Sequence, residues 1–552
     1  DRIHIFCQAG QIQLPKQHSP LIYRLENIVH AVNSPRSGGI FHPKLWIIRF
    51  APQDQADSIL YRVLCLSRNL TFDRSWDAML VLDGELSDRN RPISGNNPLG
   101  DLIRALPAMM VSAADDNLRK AVERVDKEIR RVRFDVPPGF EDVRFHVYGV
   151  GDMQEWWLDS SFGRMLAVAP FVDPVFLRRF ASQSSGEGVL VSRLEQLQAL
   201  DPALLNKCGK AFYLDPDASA SPEPENQDRE ELSGLHAKLY VADAGWDASV
   251  WTGSANATSA AMNRNVEFLA ELVGKRSVCG VEEFLRKVKG QSRIADMLRE
   301  YIPAEAAPEK EADAINAEER ANAMRRALVA ADPVAEVKLA ADGQRYDVAV
   351  SSKSEPGRLP AGDISTCIWP IGLQEREAID AGVLLKAGSI CFKQMSFESL
   401  SSFFAFSVSA KVGKRTHTVR FVMNLPTRGM PEDREERMLR SILSNKNQVL
   451  RMLLLLLADS SADMMARFAT ASRDVSHNDA NHSMTAFGET ALLEPLLRVL
   501  SQNPRKLERI ARLVDDLLKT PAGEGMLPAG FMAAWTPIWN AAQKSIREQH
   551  QP

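Results

Sequence analysis

Short apolar runs closed by polar turns recur through the first 300 residues of this chain. Those at 2–6, 45–50, 61–66, 78–82, 143–149, 165–170, 188–191, 239–242, 249–251 and 268–273 have the length and branched or aromatic content of strands. Longer stretches at 20–32, 113–132, 174–181 and 193–200 predict helices. The alternation argues for an α/β layer. The segment 84–100 is polar and rich in Gly, Pro and Asn, so it reads as a loop. The segment 215–231 is acidic and rich in Pro and Ser; it reads as a solvated linker or as a gate over the residues near 236. Residues 303–331, rich in Ala, Glu and Arg, predict a helical connector. The pattern then changes. Strands are predicted at 334–339, 345–351, 364–369, 389–394, 403–412 and 416–424, a β-rich module of barrel or sandwich type. From Pro431-Glu432-Asp433 the chain turns helical, with Leu-rich faces over 437–458. The expected divisions are 1–136, 137–302, 303–331, 332–425 and 426–552.

The first two divisions repeat one another. Phe41-His42-Pro43-Lys44-Leu45-Trp46 opens one predicted strand, and a second ends at Ser67-Arg68-Asn69. Leu235-His236-Ala237-Lys238-Leu239-Tyr240 opens another, and its successor ends at Gly253-Ser254-Ala255-Asn256. An acidic residue, Asp77 or Glu267, then introduces a third apolar run. A Lys two residues after a His arises by chance about one time in twenty at ordinary lysine usage. The whole ordered set arising twice by chance is far rarer. It reads as an internal duplication whose copies lie 194 residues apart, from His42 to His236 (236 − 42).

His-x-Lys with Ser-x-Asn suits a phosphodiester. An imidazole is unprotonated enough at neutral pH to attack, and a second, protonated, can donate to the leaving oxygen and then activate water. Lys44 and Lys238 would neutralise the non-bridging oxygens. Asn69, Asn256, Ser67 and Ser254 would add neutral donors around the same phosphate. Asp77 and Glu267 would each hold an imidazole by its other nitrogen, fixing its tautomer. None of these roles needs a metal or a cofactor. His42 and His236 are expected to face one another across the interface of the two halves.

These residues resemble the phospholipase D superfamily, whose pattern is His-x-Lys-x4-Asp followed by a Gly-Ser-x-x-Asn-like element. His236, Lys238 and Asp243 have that spacing, and Gly253-Ser254 follows. The first copy departs from it, with Arg49 in place of the Asp and Leu66 in place of the Gly; in both copies Asn follows Ser by two residues. The resemblance covers roughly residues 1–300. It implies two phospholipase D-like halves packed as a pseudo-dimer of mixed sheets flanked by helices, and metal-independent catalysis through a phosphohistidine. It also implies a supporting part for Asp243 and points to His42 as the nucleophile, a choice the residues themselves leave open. The second copy has a longer run of strands ahead of its histidine, so a further N-terminal stretch of roughly 50 residues is expected by comparison of the two copies.

Composition narrows the reading. The 552 residues are 45% hydrophobic with a net charge of −4, so any nucleic-acid surface must be local. One basic cluster is Arg119, Lys120, Arg124, Lys127, Arg130, Arg131 and Arg133; Glu123, Asp126 and Glu128 among them favour a solvated helix face. A second is Lys411, Lys414, Arg415 and Arg420 in a hairpin. The six cysteines are scattered without a Cys-x-x-Cys pair, which suits a reduced compartment. His477 and His482 read as part of a solvated loop rather than a metal site, and His146 as a sheet residue. No segment reads as a signal peptide or a membrane span, and 452–457 is too short to cross a bilayer, so a soluble, cytoplasmic protein is expected. Among superfamily substrates, DNA is the leading expectation. The resemblance to bacterial nucleases adds a helicase or other phage-defence protein as partner. A catalytically weak scaffold binding nucleic acid or protein is the alternative, favoured by Arg49; a phospholipid-cleaving enzyme is third.

Overall fold

The computed structural model describes residues 2–15, 20–51, 59–69, 75–87, 91–151, 160–215, 234–290, 293–303, 312–354, 359–386, 388–434, 484–518 and 530–548, with isolated positions between them. The acidic stretch after Asp215, the pair His477 and His482, and most of 437–458 lie outside these residues.

In chain order the first part comprises β1 (Ile5–Gln8), β2 (Val29–Val32), β3 (Leu45–Phe50), β4 (Leu60–Leu66), β5 (Ser75–Trp76), β6 (Met79–Leu86), α1 (Asn97–Met109), α2 (Asp116–Ile129) and β7 (Val132–Phe134). The second comprises β8 (Asp142–Tyr148), β9 (Met165–Val168), α3 (Pro174–Gln183), β10 (Gly188–Val191), α4 (Leu194–Gln198), α5 (Pro202–Cys208), β11 (Gly209–Leu214), β12 (Gly234–Leu235), β13 (Leu239–Ala244), β14 (Asp247–Gly253), α6 (Ser259–Asn263), β15 (Glu267–Lys275), α7 (Arg276–Cys279), α8 (Val281–Leu285) and β16 (Leu298–Tyr301).

Two of the expectations are corrected. Residues 20–32 are a short 3-10 turn over Pro20–Leu25 and then β2, not one helix. The alternating Val29-His30-Ala31-Val32 pairs in parallel with β1, and that pairing outweighs local helical spacing. The segment 84–100 is not a plain loop either, because β6 runs to Leu86 and α1 starts at Asn97. Its Pro98 sits where the first turn of a helix has no N–H bond to lose, and Leu99, Leu102 and Ile103 give the buried stripe.

The first sheet has the order β3-β4-β6-β7, and the second β16-β11-β10-β9-β13-β14-β15-β8. Alternation along each strand decides which face meets which. Tyr61, Val63, Cys65, Leu80 and Leu82 of the first sheet share one core with Val241, Val250, Phe268, Ala270 and Leu272 of the second, together with α1 and α2. Cys65 Sγ reaches the carbonyl of Thr252 at 3.5 Å across this seam. The other face of the second sheet (Tyr240, Ala242, Trp251, Leu269) is packed under α3, α4 and α5.

Beyond these lie α9 (Ala312–Ala330), β17 (Pro333–Leu339), β18 (Tyr346–Ser352), β19 (Asp363–Pro370), β20 (Ile379–Asp380), β21 (Ser389–Met395), β22 (Phe403–Val412), β23 (Arg415–Asn424) and β24 (Thr427–Arg428). They make two four-stranded sheets, β21-β18-β17-β24 and β20-β19-β22-β23, which share a core with α9. N-terminal residues join this core. Tyr23 lies within it, and the Glu26 carboxylate accepts from Ser401 Oγ (3.0 Å), Ser402 N (3.1 Å) and Arg434 Nη2 (2.9 Å). Ile12, Leu14 and residues 22–29 therefore pack with the β-rich region. Last come α10 (Met484–Gln502), α11 (Leu507–Leu518) and α12 (Phe531–Glu548), whose apolar faces close on one another in a separate core. No described helix is long and apolar enough to cross a membrane.

Candidate active site

The two repeated segments come together where the two sheets meet, and they are crossed. Phe41 lies beside Val266 in a parallel bridge, and His42 N donates to Val266 O at 2.9 Å. In the other half β12 runs parallel to β5, and His236 N donates to Trp76 O at 2.7 Å. Each histidine is thus tied to the residue just before the other half's acid, Glu267 or Asp77. Pro43 helps locally, since the residue before a proline is held extended.

Glu267 collects three side-chain donors while wholly buried. His42 Nδ1 lies 2.9 and 3.0 Å from its two oxygens, Asn265 Nδ2 donates at 3.1 Å, and Ser254 Oγ donates as well. A buried carboxylate would be very costly without such donors. Because a carboxylate only accepts, the shared proton sits on His42 Nδ1, which leaves the Nε2 lone pair for chemistry. Ser254 Oγ in turn accepts from Phe268 N at 3.0 Å. The first half repeats this: Ser67 Oγ donates to Asp77 and accepts from Ala78 N at 2.9 Å. Arg68 Nε also pairs with Asp77 at 3.0 Å.

The lysines match too. Lys44 Nζ donates to His42 O and Lys238 Nζ to His236 O, both at 2.9 Å. Both are buried. Desolvation pulls Lys44 down to about 7, against the fields of Glu267 and Asp77 and assisted by Lys238. Desolvation likewise pulls Lys238 down to about 8, opposed by both carboxylates and assisted by Arg193. Both lysines feel both carboxylates, which gathers the two halves' charges into one site. An arriving phosphodiester anion would favour their charged forms.

Several sequence expectations change here. Ser67 and Ser254 were expected as phosphate donors, but each has one hydroxyl proton and commits it to a carboxylate, so they position the acids. Asn256 is half-buried and its Oδ1 has no protein donor, whereas Asn69 is exposed. Asp243 does not join the cluster. It stands five residues along β13 from Lys238, roughly 16 Å at strand rise, and its carboxylate accepts from Val281 N (3.0 Å) at the start of α8. Arg49, its counterpart in the first half, pairs with Glu128 of α2 at 2.6 Å, and Tyr61 Oη donates to the same carboxylate. Asp243 and Arg49 thus tie the far ends of their strands to α8 and α2, on the faces that meet at the seam. His146 pairs with Glu271 at 2.7 Å on the strand pair β8–β15, a sheet residue as expected. The basic face of α2 is largely compensated, with Lys127 on Glu123 and Arg130 on Asp126 and Asp101.

Asn265, Arg68 and Arg193 were not anticipated. Asn265 could have been noticed: it lies two residues before Glu267, and its Oδ1 also accepts from Ile40 N at 3.2 Å, joining the His42 loop to the acid. Arg193 lies 43 residues before His236 (236 − 193), and nothing in the local sequence links them.

No family model matches the chain, and no curated protein matches it. Among solved structures it is similar to a yeast tyrosyl-DNA phosphodiesterase, at 12% identity over 50% of this chain and 78% of that one, with a TM-score of 0.33. It is similar to Nuc, a phospholipase D family member from Salmonella typhimurium, at 17% identity over 29% of this chain and 99% of that one, TM-score 0.19. It is also similar to a polyphosphate kinase from Porphyromonas gingivalis, at 13% identity over 49% and 36%, TM-score 0.26. At these identities and scores, the functional reading of the site rests on its own geometry.

Proposed function

We propose that this chain is a metal-independent phosphodiesterase of the phospholipase D type, that its two halves form a pseudo-dimer around one site, and that its substrate is DNA. The observation that carries the reading is the crossed arrangement: His42 is held through Nδ1 by the other half's Glu267, beside two buried lysines. His42 Nε2 attacks phosphorus, forming a P–N bond as the P–O bond to the leaving oxygen breaks. His236 gives that oxygen its proton. Water, losing a proton to His236, then attacks the phosphohistidine and frees His42. Lys44 and Lys238 balance charge on the non-bridging oxygens. The scaffold alternative loses its main support, because Arg49 has a structural partner on α2. A setting beside a helicase in a defence system rests on the resemblance alone.

The test is cleavage of single- and double-stranded DNA in EDTA by the wild type, His42→Ala and His236→Ala. The proposal expects activity that survives chelation and falls about 10⁴-fold or more in each variant. Activity retained in either variant would overturn the two-histidine mechanism.

A further inference from the structure

The parallel strands β9 and β10 end side by side, and the ends of parallel strands are where open α/β sheets take their ligands. Just past β9, whose four residues are all buried, Phe171 is 46% exposed. Its loop is held firmly. Val172 bridges Ala257, Asp173 N donates to Ala257 O at 3.0 Å, and the Asp173 carboxylate takes both N and Oγ of Ser259 at 2.6 and 2.7 Å. This ties Phe171 to the segment bearing Asn256, whose buried Oδ1 has no donor. Just past β10, Arg193 lies with its guanidinium carbon 5.1 Å from the Phe171 ring centroid. Its Nε donates to Leu235 O at 2.9 Å, one residue before His236, and its charge reaches Lys238. The terminal guanidinium nitrogens have no acceptor among the described residues.

We infer that Phe171 and Arg193 form a nucleotide-binding lip on the His236 side of the site, taking the base and the adjoining phosphate of an unpaired nucleotide that flanks the scissile phosphodiester. The substrate class in this inference builds on the phosphodiesterase reading above. The physical grounds are the two chemistries placed together. A guanidinium with its fork unspent is matched to a phosphate. A ring kept in water offers a face for base stacking, which does not depend on sequence. A base inside a duplex is already stacked and cannot reach that ring, so the lip favours single strands and frayed ends over continuous duplex. It also supplies local positive charge to a chain whose net charge is −4.

The test uses the full chain and four variants: Phe171→Ala, Phe171→Leu, Arg193→Ala and Arg193→Lys. Binding of a labelled single-stranded oligonucleotide and of the same sequence as duplex is followed by fluorescence anisotropy over a salt series. Turnover of bis(p-nitrophenyl) phosphate is measured in parallel as a readout of the reaction centre. The expected result is a loss of single-strand affinity of about tenfold in Phe171→Ala, much of it shared by Phe171→Leu, which keeps the apolar bulk. Arg193→Ala should flatten the salt dependence by about one phosphate contact, and Arg193→Lys should restore the salt slope but not the affinity. The loss on DNA should exceed the loss on the small diester. Equal losses on both, unchanged single-strand affinity in Phe171→Ala, or duplex bound as tightly as single strand would overturn the lip. Single-strand binding that depends on Phe171 without any turnover would leave the lip standing and remove the phosphodiesterase. Diester turnover with no oligonucleotide binding would do the reverse, and loss of anionic-vesicle binding in Phe171→Ala, with no DNA binding, would reassign the lip to a lipid headgroup.

Discussion

The two halves share a site but not a body. Counting from their histidines and acids, Trp46 corresponds to Tyr240, Met79 to Leu269 and Val81 to Glu271. In the first half these side chains are 48%, 63% and 41% exposed; in the second they are 0%, 0% and 7%. The strands are alike, and the difference lies in what covers them. In the second half β9 pairs with the edge of β13 and α3, α4 and α5 lie over the sheet, whereas β3 is an edge strand among the described residues. The inner faces, which meet at the seam beside the repeated His-x-Lys segments, are buried in both. A duplicated site therefore needs duplicated inner faces and tolerates very different backs.

The contrast can be broken most forcefully at the acids. Glu267→Gln keeps the size but removes the charge that holds His42, and kcat should fall by about 10²–10⁴-fold, the range set by loss of an imidazole-orienting carboxylate. Asp77→Asn should cost less, since its carboxylate is partly exposed and shared with Arg68. Equal losses from steady-state kinetics would mean that the two acids do the same work despite their different surroundings.

The backs of the sheets come next. Tyr240→Ala should cost about 3–5 kcal/mol of stability, as large buried aromatics do, with loss of its hydrogen bond to Ala255 O (2.8 Å) added. Trp46→Ala should stay within about 0.5–1 kcal/mol, as exposed positions do. Urea unfolding reads both, and a large cost at Trp46 would mean that the first sheet's outer face is covered in solution.

The lysines sharpen the shared part. Lys44 and Lys238, at about 7 and about 8 when folded, hold protons less tightly than the ordinary 10.5. Between those values and 10.5 the unfolded chain binds more protons, so stability should rise with pH through that window. Below about 7 the full cost of burying both charges is present. Lys44→Met should flatten the lower part of this rise. On the activity side, kcat/KM should decline as pH rises past 7–8, because the free site loses its cations. A pH profile without that falling limb would mean that charged lysines are not needed.

The smallest effects belong to the positions on which the copies differ most visibly in sequence. Asp243→Asn should cost about 1 kcal/mol through the start of α8 and leave kcat unchanged. Arg49→Lys should leave kcat unchanged as well. A tenfold fall in kcat in either would return that residue to the chemistry.

Much of this was open to reading along the chain. The His-x-Lys pairs stand just ahead of β3 and β13, and Asp77 and Glu267 lead into β6 and β15, because short apolar runs leave a strand few alternatives. The helix α1 is legible in the helical spacing of Leu99, Leu102, Ile103 and Leu106, against which the surrounding Gly, Pro and Asn residues signal a loop. The strand β2 was not legible, since its pairing with β1 is made by residues 24 positions away. Asp243 shows the opposite failure, a spacing that matches a family pattern although extended backbone carries the side chain away from the site.

The sequence by itself determined the His-x-Lys and Ser-x-Asn sets proposed to react, their duplication and the strands that present them. These come from residue type and from a two-residue period, which local order is enough to express. Only the tertiary structure decided that Glu267 reaches across to His42 as well as to Ser254 and Asn265 of its own half, that Ser67 and Ser254 are committed to the acids, and that Arg193 bonds the Leu235 carbonyl next to His236. Those facts depend on which strand edges and sheet faces meet, and such contacts are made by burial between segments far apart in the chain, where no local pattern records them.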